Sequence, residues 1–187
     1  MRFSVSLAAI AATLAVATPA IAQQAFVTAT PNPIAKGVVV LPLTLTKSSD
    51  LDFGTVIAST TAAGTVAISA DDGSRAVTGG VIGVPNYPGD RALFQGAGTA
   101  GQNVLLTLQA PTVLARQGGG SSIAVNSMYF DSAAASSTNT TTGYLETTRT
   151  IDGTGAFEIG VGGNFAITAN QMNGVYSAPF VVTAEYQ

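Results

Sequence analysis

Apolar and polar residues alternate over several short stretches of the chain, most clearly in its C-terminal segment, residues 174–187. There Phe180, Val182, Ala184 and Tyr186 fall on one face, and the intervening positions form the other. A period of two predicts a half-buried β-strand. We expect residues 174–187 to form one strand, started by an Asn-Gly turn, that ends the chain at the edge of a sheet. Such an edge exposes unpaired N–H and C=O groups that another chain can complete.

Further β-type runs are spread along the sequence, at residues 25–29, 38–46, 51–57, 65–69, 103–109, 123–130, 156–161 and 165–167. Turn signals separate them, among them Asp71-Asp72-Gly73, Gly118-Gly119-Gly120 and Gly162-Gly163. Pro42 cannot donate a ladder hydrogen bond and indicates an edge position or a bulge. Residues 132–143, rich in Ala, Ser and Thr, are predicted to be a long polar loop.

Many short strands with glycine-rich turns, and no helical period after the first residues, predict an all-β fold. We expect an immunoglobulin-like or pilin-like antiparallel β-sandwich, either complete or completed by a strand donated from elsewhere. The chain has no cysteine, so the sandwich must hold without disulfides.

The N-terminal residues have the features of a secretion signal. Arg2 provides the positive charge, residues 7–16 a short apolar run, and Ala20-Ile21-Ala22 a small-x-small cleavage pattern. The apolar run is shorter than the roughly 20 residues that cross a bilayer. We therefore expect a cleaved signal peptide (1–22), an N-terminal leader (23–37) and a β-sandwich domain (38–187), with no membrane span in the mature chain.

The amino-acid composition excludes several classes of function. Charged residues make up 9% of the chain and the formal net charge is −3, which disfavours nucleic-acid binding because that needs clustered Lys and Arg. Histidine and cysteine are both absent, which excludes Ser-His-Asp and Cys-His catalysis and imidazole or thiolate metal sites. We predict no enzyme activity, no cofactor and no metal site.

Two acidic pairs could suggest calcium or carboxylate chemistry. Asp50 and Asp52 alternate within one strand run, and Asp71 and Asp72 precede a glycine. Calcium takes about six to eight oxygen ligands, and neither pair has further acidic residues beside it. We interpret the first pair as capping and solvated residues, and the second as turn residues. Asn139 begins a glycosylation sequon, a pattern short enough to occur by accident.

Three segments carry a family resemblance: DLDFGTV (50–56), FEIGVGGNFAI (157–167) and NGVYSAPFVVTAEYQ (173–187). They resemble the domain-of-unknown-function 4402 family of secreted proteins from Gram-negative bacteria, over nearly the whole mature chain. The last segment also looks like the end of chaperone–usher pilins and of spore-coat-U-like subunits, in which a Gly-x-Tyr turn leads into a final strand with a penultimate aromatic residue.

The resemblance implies a set of interface residues. Gly174, Tyr176 and Tyr186 would form the motif that a periplasmic chaperone recognises. Phe180, Val182 and Ala184 would line a groove left open by a missing strand.

The leader would supply the donor strand, with Phe26, Val27 and Thr28 as its candidate pairing residues. The implied function is a structural subunit of a bacterial surface fibre, exported through the periplasm to the cell surface with the help of a chaperone and an outer-membrane usher. The alternative is a monomeric secreted binding module or adhesin, whose leader completes its own domain.

Overall fold

The computed structural model of the protein describes residues 29–187, and we refer to it below as the structure. Within that range the chain forms fourteen β-strands and no helix. The strands are β1 (Thr44–Ser49), β2 (Val56–Ala58), β3 (Gly64–Ile68), β4 (Arg75–Gly79), β5 (Val81–Gly83), β6 (Ala92–Ala97), β7 (Asn103–Gln109), β8 (Val113–Arg116), β9 (Ser122–Phe130), β10 (Ser136–Thr138), β11 (Leu145–Thr150), β12 (Ala156–Ile167), β13 (Tyr176–Ser177) and β14 (Val181–Tyr186).

The strands form three antiparallel sheets. The large sheet has the order β1-β6-β12-β9-β8-β13, with β3 also paired to β12, and β4 paired to β3. The small sheet has the order β10-β11-β7-β14, and β2 and β5 form a separate pair. The chain divides into two compact units between residues 38 and 39, and all of these strands belong to the second unit.

The main hydrophobic core lies between the large and small sheets. The large sheet contributes Phe94, Phe130 and Ile159, and the small sheet contributes Leu106 and Leu108. A second cluster, which includes Val66, Val81 and Phe165, packs the β2–β5 pair against the large sheet. Two sheets joined face to face by one core define a sandwich, so the predicted all-β antiparallel sandwich is confirmed.

The central strand β12 corrects the sequence analysis, which placed a turn at Gly162-Gly163 between two strands. The strand runs unbroken from Ala156 to Ile167 and has partners along both edges. A Cβ on Gly162 would lie 2.3 Å from the carbonyl oxygen of Ile68. The glycine therefore permits close approach of a neighbouring backbone, which is the other common reason for glycine within a strand.

Two other predictions need correction. The predicted polar loop at 132–143 contains β10, which pairs with β11. The predicted strand at 38–46 begins at Thr44, after Pro42, because proline lacks the N–H that would extend the ladder toward the N-terminus. Strands β4, β5, β6, β8 and β11 were not predicted, since each is short and has few alternating apolar positions.

An ion pair links the large and small sheets. Arg149 on β11 contacts the carboxylate of Asp131, which follows β9, and both side chains are nearly buried, at 9% and 12% exposure. The second carboxylate oxygen of Asp131 accepts from the Gly160 N–H at 2.6 Å. Buried charges persist when they are paired and hydrogen-bonded in this way.

The Arg75 side chain also stabilises the fold, by hydrogen bonds to backbone carbonyl groups. Its guanidinium donates to the carbonyl oxygens of Thr55 at 3.0 Å, Tyr87 at 2.8 Å and Val84 at 2.9 Å. These bonds hold the segments on either side of the β2–β5 pair without a disulfide.

Candidate functional site: the edge of the C-terminal strand

The C-terminal segment is not one strand, which corrects the prediction for residues 174–187. Tyr176 and Ser177 pair with β8 in the large sheet, whereas residues 181–186 pair with β7 in the small sheet. Pro179 lies between them and cannot donate a ladder bond. The chain therefore crosses from one sheet to the other at residues 178–180.

The structure confirms which residues of the last strand were predicted to lie on one face. Val182, Ala184 and Tyr186 on β14, together with Phe180 just before it, are half-buried and pack against the main core. The intervening residues of β14 are exposed. The ring of Phe180 meets that of Phe94 edge to face, with centroids 6.1 Å apart.

One edge of β14 has no partner strand among the described residues, and we call it the free edge. The strand is the last in the order of the small sheet, and within residues 29–187 its pairing is to β7 alone. Gln187 N–H donates to Asn103 O at 3.1 Å, and in an antiparallel ladder the bonded residues alternate. Glu185 and Thr183 therefore direct their backbone groups toward β7, while Ala184 and its even-numbered neighbours direct theirs away from it.

The facing edge belongs to β1, the end strand of the large sheet, whose pairing is to β6 alone among the described residues. Leu43, Leu45 and Leu51, within and beside β1, are half-buried and pack against the same core as β14. The edge strands of the two sheets thus approach each other on one flank of the sandwich. We call this strip between β1 and β14 the seam.

Tyr186 closes one end of the seam. Its hydroxyl accepts from the Thr99 N–H at 2.8 Å and donates to the Leu41 carbonyl at 2.8 Å. Leu41 N–H in turn donates to Thr99 Oγ1 at 2.6 Å. Tyr186, for which the family resemblance implies chaperone recognition, therefore fixes the point where the chain enters the sandwich.

A cavity of about 180 Å³ lies at the other end of the seam. Phe53 and Leu51 line it on the β1 side, and Phe180 lines it on the β14 side. Leu114 and Met128 are among its other lining residues. The cavity joins the two hydrophobic clusters, because its lining includes members of both.

Gly174 and Tyr176 lie apart from the β14 edge. Gly174 has a φ of +148°, and a Cβ there would lie 2.6 Å from Arg116 Nε, so the turn favours glycine. The hydroxyl of Tyr176 accepts from Gln171 Nε2 at 2.9 Å and donates to Met172 O at 2.5 Å. Both residues shape the turn that leads toward the cavity, while the even-numbered residues of β14 form the edge itself.

The candidate donor residues Phe26, Val27 and Thr28 lie outside the described residues. The first residues of the second unit are apolar and exposed: Val39 is 96% exposed and Leu41 is 63% exposed. The sequence predicts a strand at 38–46 but does not indicate that Thr99, Leu51 or Phe53 belong to this flank, because contacts between distant segments leave no local pattern.

Asp52 and Asp72, one from each acidic pair, stabilise local turns. The carboxylate of Asp52 accepts from the Gly54 N–H at 2.8 Å, and Asp50 pairs with Lys47. Hydrogen bonds from the Ser69 hydroxyl and from Ser74 lower the pKa of Asp72 to about 2. Across residues 29–187 no three His, Cys, Asp or Glu side chains cluster as metal ligands would.

The fold and site therefore define an all-β sandwich with a free strand edge beside an apolar seam. The model of a domain of unknown function, DUF4402, matches residues 43–186, and the chain belongs to that family. No curated protein and no solved structure matches it. Among residues 29–187, no helix has the length and apolar character needed to cross a membrane.

Proposed function

We propose that the protein is a structural subunit of a bacterial surface fibre, in which the leader of one copy fills the seam of the next. Residues 1–22 direct export, and residues 23–37 become the donated strand. In this proposal the subunit enters the periplasm, and a chaperone and an outer-membrane usher deliver it to the cell surface. Catalysis has no part in it.

The free edge of β14 is the observation that most strongly supports the proposal. Its even-numbered residues combine backbone groups that point away from β7 with side chains that are half-buried in the core. An incoming strand would pair with those backbone groups, and its alternate side chains would cover Val182 and Ala184. β-strand addition gains affinity from main-chain bonds and specificity from side-chain pockets in this way.

The β1 side favours the same interpretation. Leu43 and Leu45 leave apolar surface on the opposite wall of the seam, so a strand laid along β14 would bury residues of both sheets. Each large apolar side chain that becomes fully buried contributes roughly 1.5–3 kcal/mol. The leader has few such side chains, and backbone pairing must supply the rest.

One observation favours the alternative of a monomeric secreted binding module. Leu41, a few residues after the end of the leader in the sequence, is held beside Tyr186 at one end of the seam. Folding back there would complete the sandwich without a partner. The two functions therefore differ in whether the seam is filled by the same chain or by another.

The size distribution of the mature chain (23–187), compared with a chain that starts at residue 38, tests the proposal. We expect multimers that resist heating for the longer chain, monomers for the shorter one, and binding of an added 23–37 peptide by the shorter chain. Stable monomers of equal stability for both chains would contradict the fibre proposal and favour the binding module.

A further inference from the structure

We propose that the cavity at the Phe180 end of the seam receives the phenyl ring of Phe26 from a second copy of the chain. This inference rests on the proposed function and deepens it, because it assigns the side chain that fixes the register of the donated strand.

The volume of the cavity and the two phenylalanines in its lining, which also includes Asp52 and Ser177, point to an aromatic ring. The cavity volume is about 180 Å³, and an apolar cavity of roughly 150 Å³ accepts a benzene molecule. Phe53 and Phe180 stand on its two sides, and each already meets another ring at a steep angle, 68° for Phe53 with Phe165 and 80° for Phe180 with Phe94. A further ring between them would extend the edge-to-face packing that aromatic side chains prefer.

The leader offers one aromatic candidate. Phe26 is the single aromatic residue in the leader 23–37, where Val27 and Ile34 are the other large apolar residues. Phe26 also lies near the N-terminal end of the leader. With its ring in the cavity, the residues that follow it would run along the seam toward Tyr186.

The lengths agree with this placement. Phe180 to Tyr186 spans about 20 Å at roughly 3.3 Å per residue, and residues 26–33 of the leader cover a similar distance when extended. The donated strand would then run parallel to β14 and antiparallel to β1, with Thr28 beside Val182. In this register Pro31 and Pro33 lie near Tyr186, at the closed end of the seam.

Cysteine cross-linking of the mature chain tests the contact directly, because the protein has no cysteine of its own. One preparation carries Val27→Cys and the other carries Val181→Cys, an exposed position that lies beside Val27 in this register and leaves the Phe26 ring in place. A disulfide requires Cα atoms within about 7 Å, so we expect cross-linked dimers from the mixture. A matched mixture of Ile34→Cys with Val181→Cys should give none.

Assembly of single variants gives a second measurement. Phe26→Ala should weaken assembly about tenfold or more, since burial of a phenylalanine is worth at least that factor. Phe26→Leu should keep most of the assembly, and Ile34→Ala should leave it unchanged.

The outcomes separate this inference from the proposed function. Cross-linking through Ile34, or normal assembly of Phe26→Ala, would overturn the Phe26 assignment and leave strand donation in place. A mature wild-type chain that remains monomeric would overturn the proposed function and this inference together.

Discussion

Replacing Ala184 by proline tests the free edge of β14 without removing a bond at its paired edge. Proline removes a backbone N–H, and the N–H of Ala184 points away from β7. The isolated domain should therefore lose less stability than with a proline at a paired position, because edge strands tolerate proline where the N–H faces away from the ladder. Glu185→Pro is the matched control. It removes a bond to β7 and leaves the Leu105 carbonyl unpaired, which should cost about 1–3 kcal/mol.

Assembly should respond in the opposite order. If a second chain pairs with the free edge, Ala184→Pro removes one of its bonds and places the proline ring in its path. The loss of about 1–3 kcal/mol corresponds to roughly 5-fold to 150-fold weaker assembly.

Urea unfolding followed by far-UV circular dichroism measures the first effect, since the chain has no tryptophan to report by fluorescence. Size-exclusion chromatography over a concentration series measures the second. Wild-type assembly by the Ala184→Pro variant would refute the argument that the free edge is the site of pairing.

Three further predictions follow from single contacts. Tyr186→Phe removes the hydroxyl that joins β14 to the start of the sandwich and should lower the free energy of unfolding by about 1–3 kcal/mol, whereas Tyr87→Phe, at a side chain 64% exposed, should leave urea midpoints unchanged. Asp131→Asn leaves the nearly buried Arg149 charge unpaired and should cost about 3–5 kcal/mol in the same assay; an unchanged midpoint would show that the pair is dispensable. The pKa of Asp72 falls from 3.8 to about 2 on folding, so its contribution to stability is present above pH 3.8 and is lost as the pH falls toward 2. Asp72→Asn should therefore flatten the stability profile across that window, and an unaltered slope in acid unfolding would contradict the assignment.

The facing of β14 could be predicted because its signal is local. Val182, Ala184 and Tyr186 alternate with exposed residues, and a period of two needs no knowledge of the partner strand. For the same reason the bounds of β7 match the predicted strand at 103–109.

Other parts of the fold depend on pairing between distant segments. The extent of β12 is set by three partner strands and by glycines that let them approach, so Gly162-Gly163 looked like a turn. The crossing at Pro179 could be suspected from proline alone, but which sheet each half joins follows from contacts with β8 and β7. The cavity escaped prediction altogether, because its walls come from segments as far apart as Leu51 and Phe180.

Amide hydrogen exchange on β14 shows whether a second chain pairs with its free edge, because neighbouring residues act as each other's controls. In the monomeric domain, Thr183 and Glu185 should be protected by β7, while Val182 and Ala184 should exchange rapidly at the free edge. In the multimer formed by the mature chain, the account predicts protection of Val182 and Ala184 as well. Rapid exchange of these two amides in the multimer would contradict strand addition at this edge.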